Sequence, residues 1–178
     1  LASLARLRDA LDLLRRILSF FSNCKEEKYP NLKKLSAPVI SFPEVSRRID
    51  TILDKYGNVR DNASEELYAI RRSIREKEGI ASRRIQAILK KAQQDGIADS
   101  EAQVSVRDGK LLIPVSSGNK RKVPGLVYDE SSSGKTSFVE PLEVVEINNQ
   151  VRELHFEEQR EIIRILTQFT EFLRPYID

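Results

Sequence analysis

Apolar side chains recur at every third or fourth residue over most of the chain, which is the spacing of amphipathic helices. The stripes predict four helices, over residues 1 to about 28, 43 to 55, 62 to 98 and 142 to 178. The last stripe repeats about every 3.5 residues, the seam spacing of a coiled coil. The two long stripes therefore predict an antiparallel pair of helices.

Two local signals indicate where the long helices begin. Asn62 and Glu65 stand three residues apart and imitate a capping box at the start of the first long helix. Pro141 is expected in the first turn of the second, because proline is tolerated there. At 1.5 Å per residue the helix over 62 to 98 would be on the order of 50 Å long.

Between the long helices, over residues 102 to 141, the pattern changes to β-branched runs separated by turn residues. Two hairpins are predicted, with strands at residues 103–106 and 111–115 and at residues 123–128 and 136–139. The pair Asp108-Gly109 lies in the first turn, and Asp-Gly between alternating apolar runs is a strong hairpin signal. Residues 116 to 122 are expected to form a flexible loop between the hairpins.

These elements predict a mainly α fold with a small antiparallel β insertion. Residues 1–98 would form a helical core and the first long helix, and residues 102–141 a β-rich tip. Residues 142–178 would return as the second long helix and pack on residues 62–98. The tip is small, so its core should depend on the helices beneath it.

Composition agrees with long exposed helices, because charged residues are 32% of the chain against a usual share of about one quarter. The formal net charge of +3 is only mildly basic, so it neither demands nor excludes a polyanionic partner. The distribution of charge is more informative. No acidic residue occurs from Gly109 to Tyr128, whereas the last helix is acidic.

Several function classes are disfavoured by what the chain contains. Cys24 is the only cysteine and His155 the only histidine, which excludes an internal disulfide and a histidine metal cluster and favours a reduced, cytoplasmic setting. No apolar run of about 18 residues predicts a transmembrane span or a membrane partner. The chain begins at Leu1 and contains no methionine, so we interpret it as a fragment of a longer protein.

Basic residues cluster in the predicted tip and suggest contact with nucleic acid. The predicted contacts are Lys120, Arg121 and Lys122, supported by Lys110, Arg107 and Lys135. Each cation that meets a phosphate releases condensed counterions, and such binding does not depend on base sequence. Only Tyr128 and Phe138 could stack on bases, so the phosphate backbone is the expected target. A solubilising loop on a small sheet is the alternative.

The tripeptide Gly134-Lys135-Thr136 matches the end of a phosphate-binding P-loop. Asp129 stands where that motif needs glycine, and a strand rather than a helix is predicted after Thr136. A polar turn between strands is therefore favoured over a nucleotide site. His155 and Cys24 have no evident partners for nucleophilic catalysis, so no catalytic residue is predicted.

Several stretches together resemble the core, lever and clamp region of MutS-type ATPases. They are Asp61–Leu67 with Ile70-Arg71, Val106–Lys110 with Ile113–Val115, Gly125–Pro141, Asn148-Asn149 and Glu157-Glu158. The similarity is closest to the bacterial paralogue branch that lacks the mismatch-reading domain and ends in an Smr nuclease domain. The resemblance extends over nearly the whole chain, and residues 125–141 carry its most specific part.

The resemblance implies a dimeric, ATP-driven clamp in which lever helices couple a nucleotide site elsewhere to arms that close around nucleic acid. Members of this branch are associated with suppression of homologous recombination on branched DNA and with rescue of collided ribosomes. The ATPase and Smr domains lie outside this sequence, so ATP and Mg²⁺ are implied only for the full-length protein. Within the family, residues 134–136 lie in the clamp. No enzymatic activity and no cofactor are expected for this chain.

Two functions are therefore expected as alternatives. In the first, a helical lever carries a clamp tip that touches the backbone of DNA or ribosomal RNA. In the second, the arm grips a ribosomal or other protein partner, and the basic residues are incidental.

Overall fold

Helices and one small sheet make up the computed structural model, which describes residues 1–25 and 27–177. The α-helices are α1 (Ala2–Asn23), α2 (Pro30–Ser36), α3 (Pro43–Ile52), α4 (Glu65–Gln94) and α5 (Leu142–Leu173). The strands are β1 (Ser105–Arg107), β2 (Lys110–Ser116), β3 (Gly125–Glu130) and β4 (Thr136–Pro141). Short 3₁₀ helices cover Asp61–Ala63, Ser117–Lys122 and Arg174–Tyr176. The predicted mainly α fold with a small antiparallel β insertion is confirmed.

The chain divides into two compact units. One consists of Leu1–Tyr68 with Arg160–Asp178, and the other consists of Ala69–Gln159. Among the described residues, no helix combines the length and the apolar character that a bilayer crossing requires.

The first unit is built around the apolar face of α3. Pro43 occupies the first turn of this helix, where its missing N–H costs no hydrogen bond. Side chains from α3, α4 and α5 share one buried cluster, which includes Val45, Ile49, Ile52, Leu67, Ile165 and Phe169. Helix α1 lies against α3, where the Ser46 hydroxyl donates to Asp12 at 3.0 Å.

The start of α4 differs from the predicted capping box. Helix α4 begins at Glu65, and Ser64 rather than Asn62 caps it, because the Leu67 amide donates to Ser64 Oγ at 3.0 Å. Asn62 instead lies inside a 3₁₀ helix, which takes the chain away from the helical path just before the cap. The Ser64 hydroxyl also donates to Glu161 at 2.5 Å and so joins α4 to α5.

In the second unit, α4 and α5 run antiparallel, as predicted from their stripes. The Arg71 guanidinium donates to Glu158 at 2.7 Å, and further along the pair Lys77 donates to Gln150 at 2.7 Å. Glu158 interrupts the apolar seam of α5, and its side chain is only 16% exposed. A charged pair at a seam position specifies the register of two helices.

The end of α4 comes earlier than the sequence pattern indicates. The helix ends at Gln94 rather than near Ala98. Gly96 adopts a left-handed conformation with φ of 65°, and the Ile97 amide returns to the Ala92 carbonyl at 2.8 Å. This bond closes the helix, because it satisfies a carbonyl that would otherwise lack a partner.

The sheet has the strand order β1-β2-β4-β3, and every neighbouring pair is antiparallel. Asp108 and Gly109 both have positive φ, at 48° and 75°, as a two-residue type I′ hairpin turn requires. The first hairpin is therefore confirmed. The second, β3 with β4, is also present and contains a bulge between Val127 and Asp129.

One face of the sheet packs on α4. Strand residues and helix residues share one buried cluster, which includes Ile113, Val115, Val139, Ala81, Ile85 and Leu89. An antiparallel sheet of this kind buries one face and leaves the other partly exposed. The β insertion therefore shares its core with α4, as its small size predicts.

Two predicted details of the insertion are corrected. Of residues 116–122, expected as a flexible loop, 117–122 form a 3₁₀ helix that is followed by the buried side chain of Val123. Pro141, expected in the first turn of the last helix, is the final residue of β4, and α5 begins at Leu142.

Candidate nucleic-acid interface

All six predicted basic contacts lie in the second unit, on the sheet or beside it. Arg107 is in β1, Lys110 is in β2, and Lys135 precedes β4. Lys120, Arg121 and Lys122 belong to the 3₁₀ helix Ser117–Lys122, which is called the basic segment below.

Two hydrogen bonds hold the start of the basic segment beside β4. The Ser117 amide donates to the Lys135 carbonyl at 2.9 Å, and the hydroxyls of Ser117 and Ser137 are 3.0 Å apart. Ser137 is fully buried. The basic segment therefore lies next to the turn that carries Lys135.

Lys120 is paired with an acid from the neighbouring hairpin. Its ammonium donates to Glu130 at 2.7 Å, and both side chains are partly exposed. The hydrogen bond from Lys120, and then its charge, hold the pKa of Glu130 below the ordinary value. The Ser137 hydroxyl also donates to Glu130, at 3.3 Å.

Arg107 is held on the open face of the sheet. Its guanidinium forms an ion pair with Asp129 and lies 3.7 Å above the ring centroid of Phe138. Arginine stacks well on aromatic faces, so this contact adds to the ion pair. The planar group is thus engaged on two sides.

Lys110 is bound to the most buried acid of the sheet. Its ammonium donates to Glu140 at 2.7 Å, and Glu140 is only 1% exposed. The Asn148 amide donates to the other carboxylate oxygen at 2.8 Å. A buried carboxylate needs such partners, so the half-buried Lys110 serves to neutralise Glu140.

Arg121, Lys122 and Lys135 differ from the other three cations. All three are exposed, and among residues 1–25 and 27–177 none has a carboxylate within 4.0 Å. The turn that contains Lys135 also exposes Ser132 and Ser133, whose hydroxyls are able to donate to phosphate oxygens. This combination can bind an anionic backbone.

The two aromatic residues of the sheet are already occupied. The hydroxyl of Tyr128 donates to Asp108, and this hydrogen bond raises the pKa of Tyr128. Phe138 is covered by Arg107. The Lys110 ammonium lies 5.4 Å from the ring centroid of Tyr128. Each ring therefore already faces a cation of the sheet, which leaves less of it for a base to stack on.

The tripeptide Gly134-Lys135-Thr136 forms a turn between two strands, as predicted. Gly134 has φ of 67°, its amide donates to the Ser131 carbonyl at 2.8 Å, and Thr136 begins β4. A P-loop presents phosphates to a helix N-terminus, and a strand follows here instead. These residues therefore do not fit ATP or its Mg²⁺ ion.

His155 and the acidic residues are the other candidates for catalysis or metal binding. His155 is half exposed on α5, and its Nδ1 lies 3.3 Å from Glu158. Within the described part of the chain, no three histidine, cysteine or acidic side chains come close enough together to hold a metal ion.

Sequence reasoning missed two residues of this site, Glu130 and Ser137. Glu130 follows the acid-free stretch and is 10 residues from Lys120 in the chain, yet it binds that lysine directly. Its position in a strand beside the basic segment was the available signal. To use that signal, one has to know which strands of the two hairpins pair with each other.

Comparison with known proteins finds the same similarity in many bacteria. Endonuclease MutS2 of Pelotomaculum thermopropionicum is 36% identical over 162 residues, which cover 91% of the chain and 20% of that protein. Endonuclease MutS2 of Thermomicrobium roseum is 40% identical over 152 residues, which cover 85% of the chain and 19% of that protein. The chain thus spans about one fifth of the length of these relatives. No protein-family model matches the chain.

Proposed function

Because the chain belongs to the MutS2-type proteins and corresponds to a segment of them, we propose that it contacts the sugar-phosphate backbone of nucleic acid. The contact residues are Arg121, Lys122 and Lys135. The observation that carries the proposal is that these three cations are exposed, lie on adjacent segments and have no carboxylate partner within the described residues.

The contact is with the backbone and does not read base sequence. Base stacking needs an open aromatic face, and the rings of Phe138 and Tyr128 each already face a cation of the sheet, Arg107 and Lys110. Point charges on flexible side chains meet phosphates of any sequence equally well. Arg107 and Lys110 stabilise the sheet in this proposal, because each forms an ion pair with an acid of another strand.

Which nucleic acid is bound depends on the full-length protein. We infer that this segment acts as a non-catalytic clamp on branched DNA or on ribosomal RNA, within a homodimer whose ATPase site lies elsewhere. Nucleotide binding would act on the clamp through the lever helices.

The proposal is tested by electrophoretic mobility of the chain with duplex DNA, a four-way junction and a ribosomal RNA fragment. Affinity is expected to fall steeply between about 50 and 200 mM salt, with a slope of about 0.9 in log affinity per phosphate contact. The triple variant Arg121→Ala, Lys122→Ala, Lys135→Ala should reduce that slope by roughly 2 to 3.

A matched control removes lysines from α4. Lys90 and Lys91 are exposed on that helix, so Lys90→Ala with Lys91→Ala lowers the net charge without touching the basic segment. This control removes two positive charges and the triple variant removes three. If the control weakens binding as much per charge removed as the triple variant does, binding reflects net charge alone and the proposed site is wrong.

The second function, an arm that grips a protein partner, is favoured by one observation. Strand β3 is at the edge of the sheet and exposes Leu126, Val127 and Tyr128. In that case the chain would bind ribosomal protein rather than nucleic acid, with little dependence on salt and no effect of the triple variant.

A further inference from the structure

The carboxylate of Glu130 contacts the basic segment and is also linked, through Ser137, to the first residue of that segment. Glu130 accepts hydrogen bonds from Lys120 at 2.7 Å and from Ser137 at 3.3 Å. Ser137 donates to Glu130, so it accepts in turn from the Ser117 hydroxyl at 3.0 Å. A relay therefore runs from the first residue of the basic segment to the acid that neutralises its lysine.

We propose that Glu130 occupies Lys120 in place of a phosphate and releases it when nucleic acid binds. This inference rests on the proposed function and adds to it a residue that sets the strength of binding. Lys120 would then be a fourth contact, available only after its ion pair with Glu130 breaks. Glu130 remains ionised near neutral pH, because its pKa is already below the ordinary value.

The exposure of each pair indicates which lysine can exchange its partner. The side chains of Lys120 and Glu130 are 38% and 45% exposed, and ion pairs so open to solvent add little to stability. A nucleic-acid backbone additionally releases its condensed counterions, which a single carboxylate does not. By contrast, Lys110 is bound to Glu140, which would be left charged and buried. Lys120 is therefore exchangeable and Lys110 is not.

The basic segment keeps its position when the exchange occurs. After Lys120 leaves, Glu130 still accepts from Ser137 and also faces water. The bond from the Ser117 amide to the Lys135 carbonyl does not involve the acid. Only the lysine side chain has to move, so the exchange requires no refolding of the sheet.

The test is the variant Glu130→Gln, because glutamine still accepts from Ser137 while it loses the charge that holds Lys120. Binding to duplex DNA near 0.1 M salt is expected to tighten roughly five- to tenfold, the value of one added phosphate contact. The slope of log affinity against log salt should become steeper by about 0.9.

Glu143→Gln is the matched control. Glu143 is an exposed acid of α5 whose carboxylate lies 3.4 Å from Arg84, so its loss changes the net charge equally but outside the sheet. Adding Lys120→Ala to Glu130→Gln should abolish the gain. Equal effects of Glu130→Gln and Glu143→Gln, or a gain that survives Lys120→Ala, would overturn the exchange.

The two proposals fail in different ways. If Arg121→Ala with Lys122→Ala weakens binding while Glu130→Gln leaves affinity and salt slope unchanged, the exchange is wrong and the interface stands. If Arg121→Ala with Lys122→Ala has no effect, the interface itself is wrong.

Discussion

Replacing Lys110 by methionine would separate a structural lysine from a binding one. Methionine keeps most of the length of the side chain and removes its charge. The change leaves Glu140, which is 1% exposed, with Asn148 as its remaining hydrogen-bond donor among the contacts described. A buried carboxylate without a counter-charge strongly destabilises a folded protein.

The expected loss follows from the exposure of the pair. Removing one partner of a buried ion pair costs about 3 to 5 kcal/mol. The side chain of Lys110 is 35% exposed, so water relieves part of this penalty. We therefore expect a loss of about 2 to 4 kcal/mol in the unfolding free energy of the second unit. At 1.4 kcal/mol per factor of ten, this corresponds to roughly 30-fold or more in amide exchange.

Native-state hydrogen exchange of β2 and β4 measures this loss within the second unit, where a single global unfolding curve would mix both units. Lys90→Met is the control, because Lys90 is an exposed lysine of α4. The double variant Lys110→Met, Glu140→Gln should recover most of the protection, since it removes the buried charge. Protection in Lys110→Met within threefold of the parent, or no recovery in the double variant, would refute the reasoning.

Two further predictions concern stability. A Cβ atom at Gly125 would meet the Glu140 carbonyl and, at 2.7 Å, the side chain of Val139. Gly125→Ala should therefore lower the unfolding free energy of the second unit by about 1 to 3 kcal/mol, whereas Gly118→Ala, with open space around it, should not. Equal amide protection of β3 and β4 in the two variants would contradict this. Hydrogen bonds from Arg164 lower the pKa of Glu161 below 4.5, so ionised Glu161 stabilises the fold above that pH and the contribution is lost as pH falls through the lower folded-state pKa. Amide protection in the first unit should therefore depend less on pH below about 4.5 in Glu161→Gln than in the parent, and parallel pH dependences would exclude the effect.

Local sequence patterns predicted most of the elements correctly. The stripes predicted four helices that are present, and Asp108-Gly109 predicted a turn whose two positive φ angles are observed. One error occurred where a contact distant in the chain competes with a local signal. Pro141 suits a helix start, yet it pairs with Gly125 as the last residue of β4. Helix α2, over Pro30–Ser36, is too short for an apolar stripe to predict firmly.

The sequence by itself determined that six cations lie in a β insertion between two long helices, because residue periodicity and turn chemistry are local properties. Only the tertiary structure decided which cations are neutralised. The pairing of β2 with β4 brings Arg107 to Asp129 and Lys110 to Glu140, across 22 and 30 residues of chain. Charge interactions depend on distance in space, and that distance is determined by strand order rather than by position in the chain.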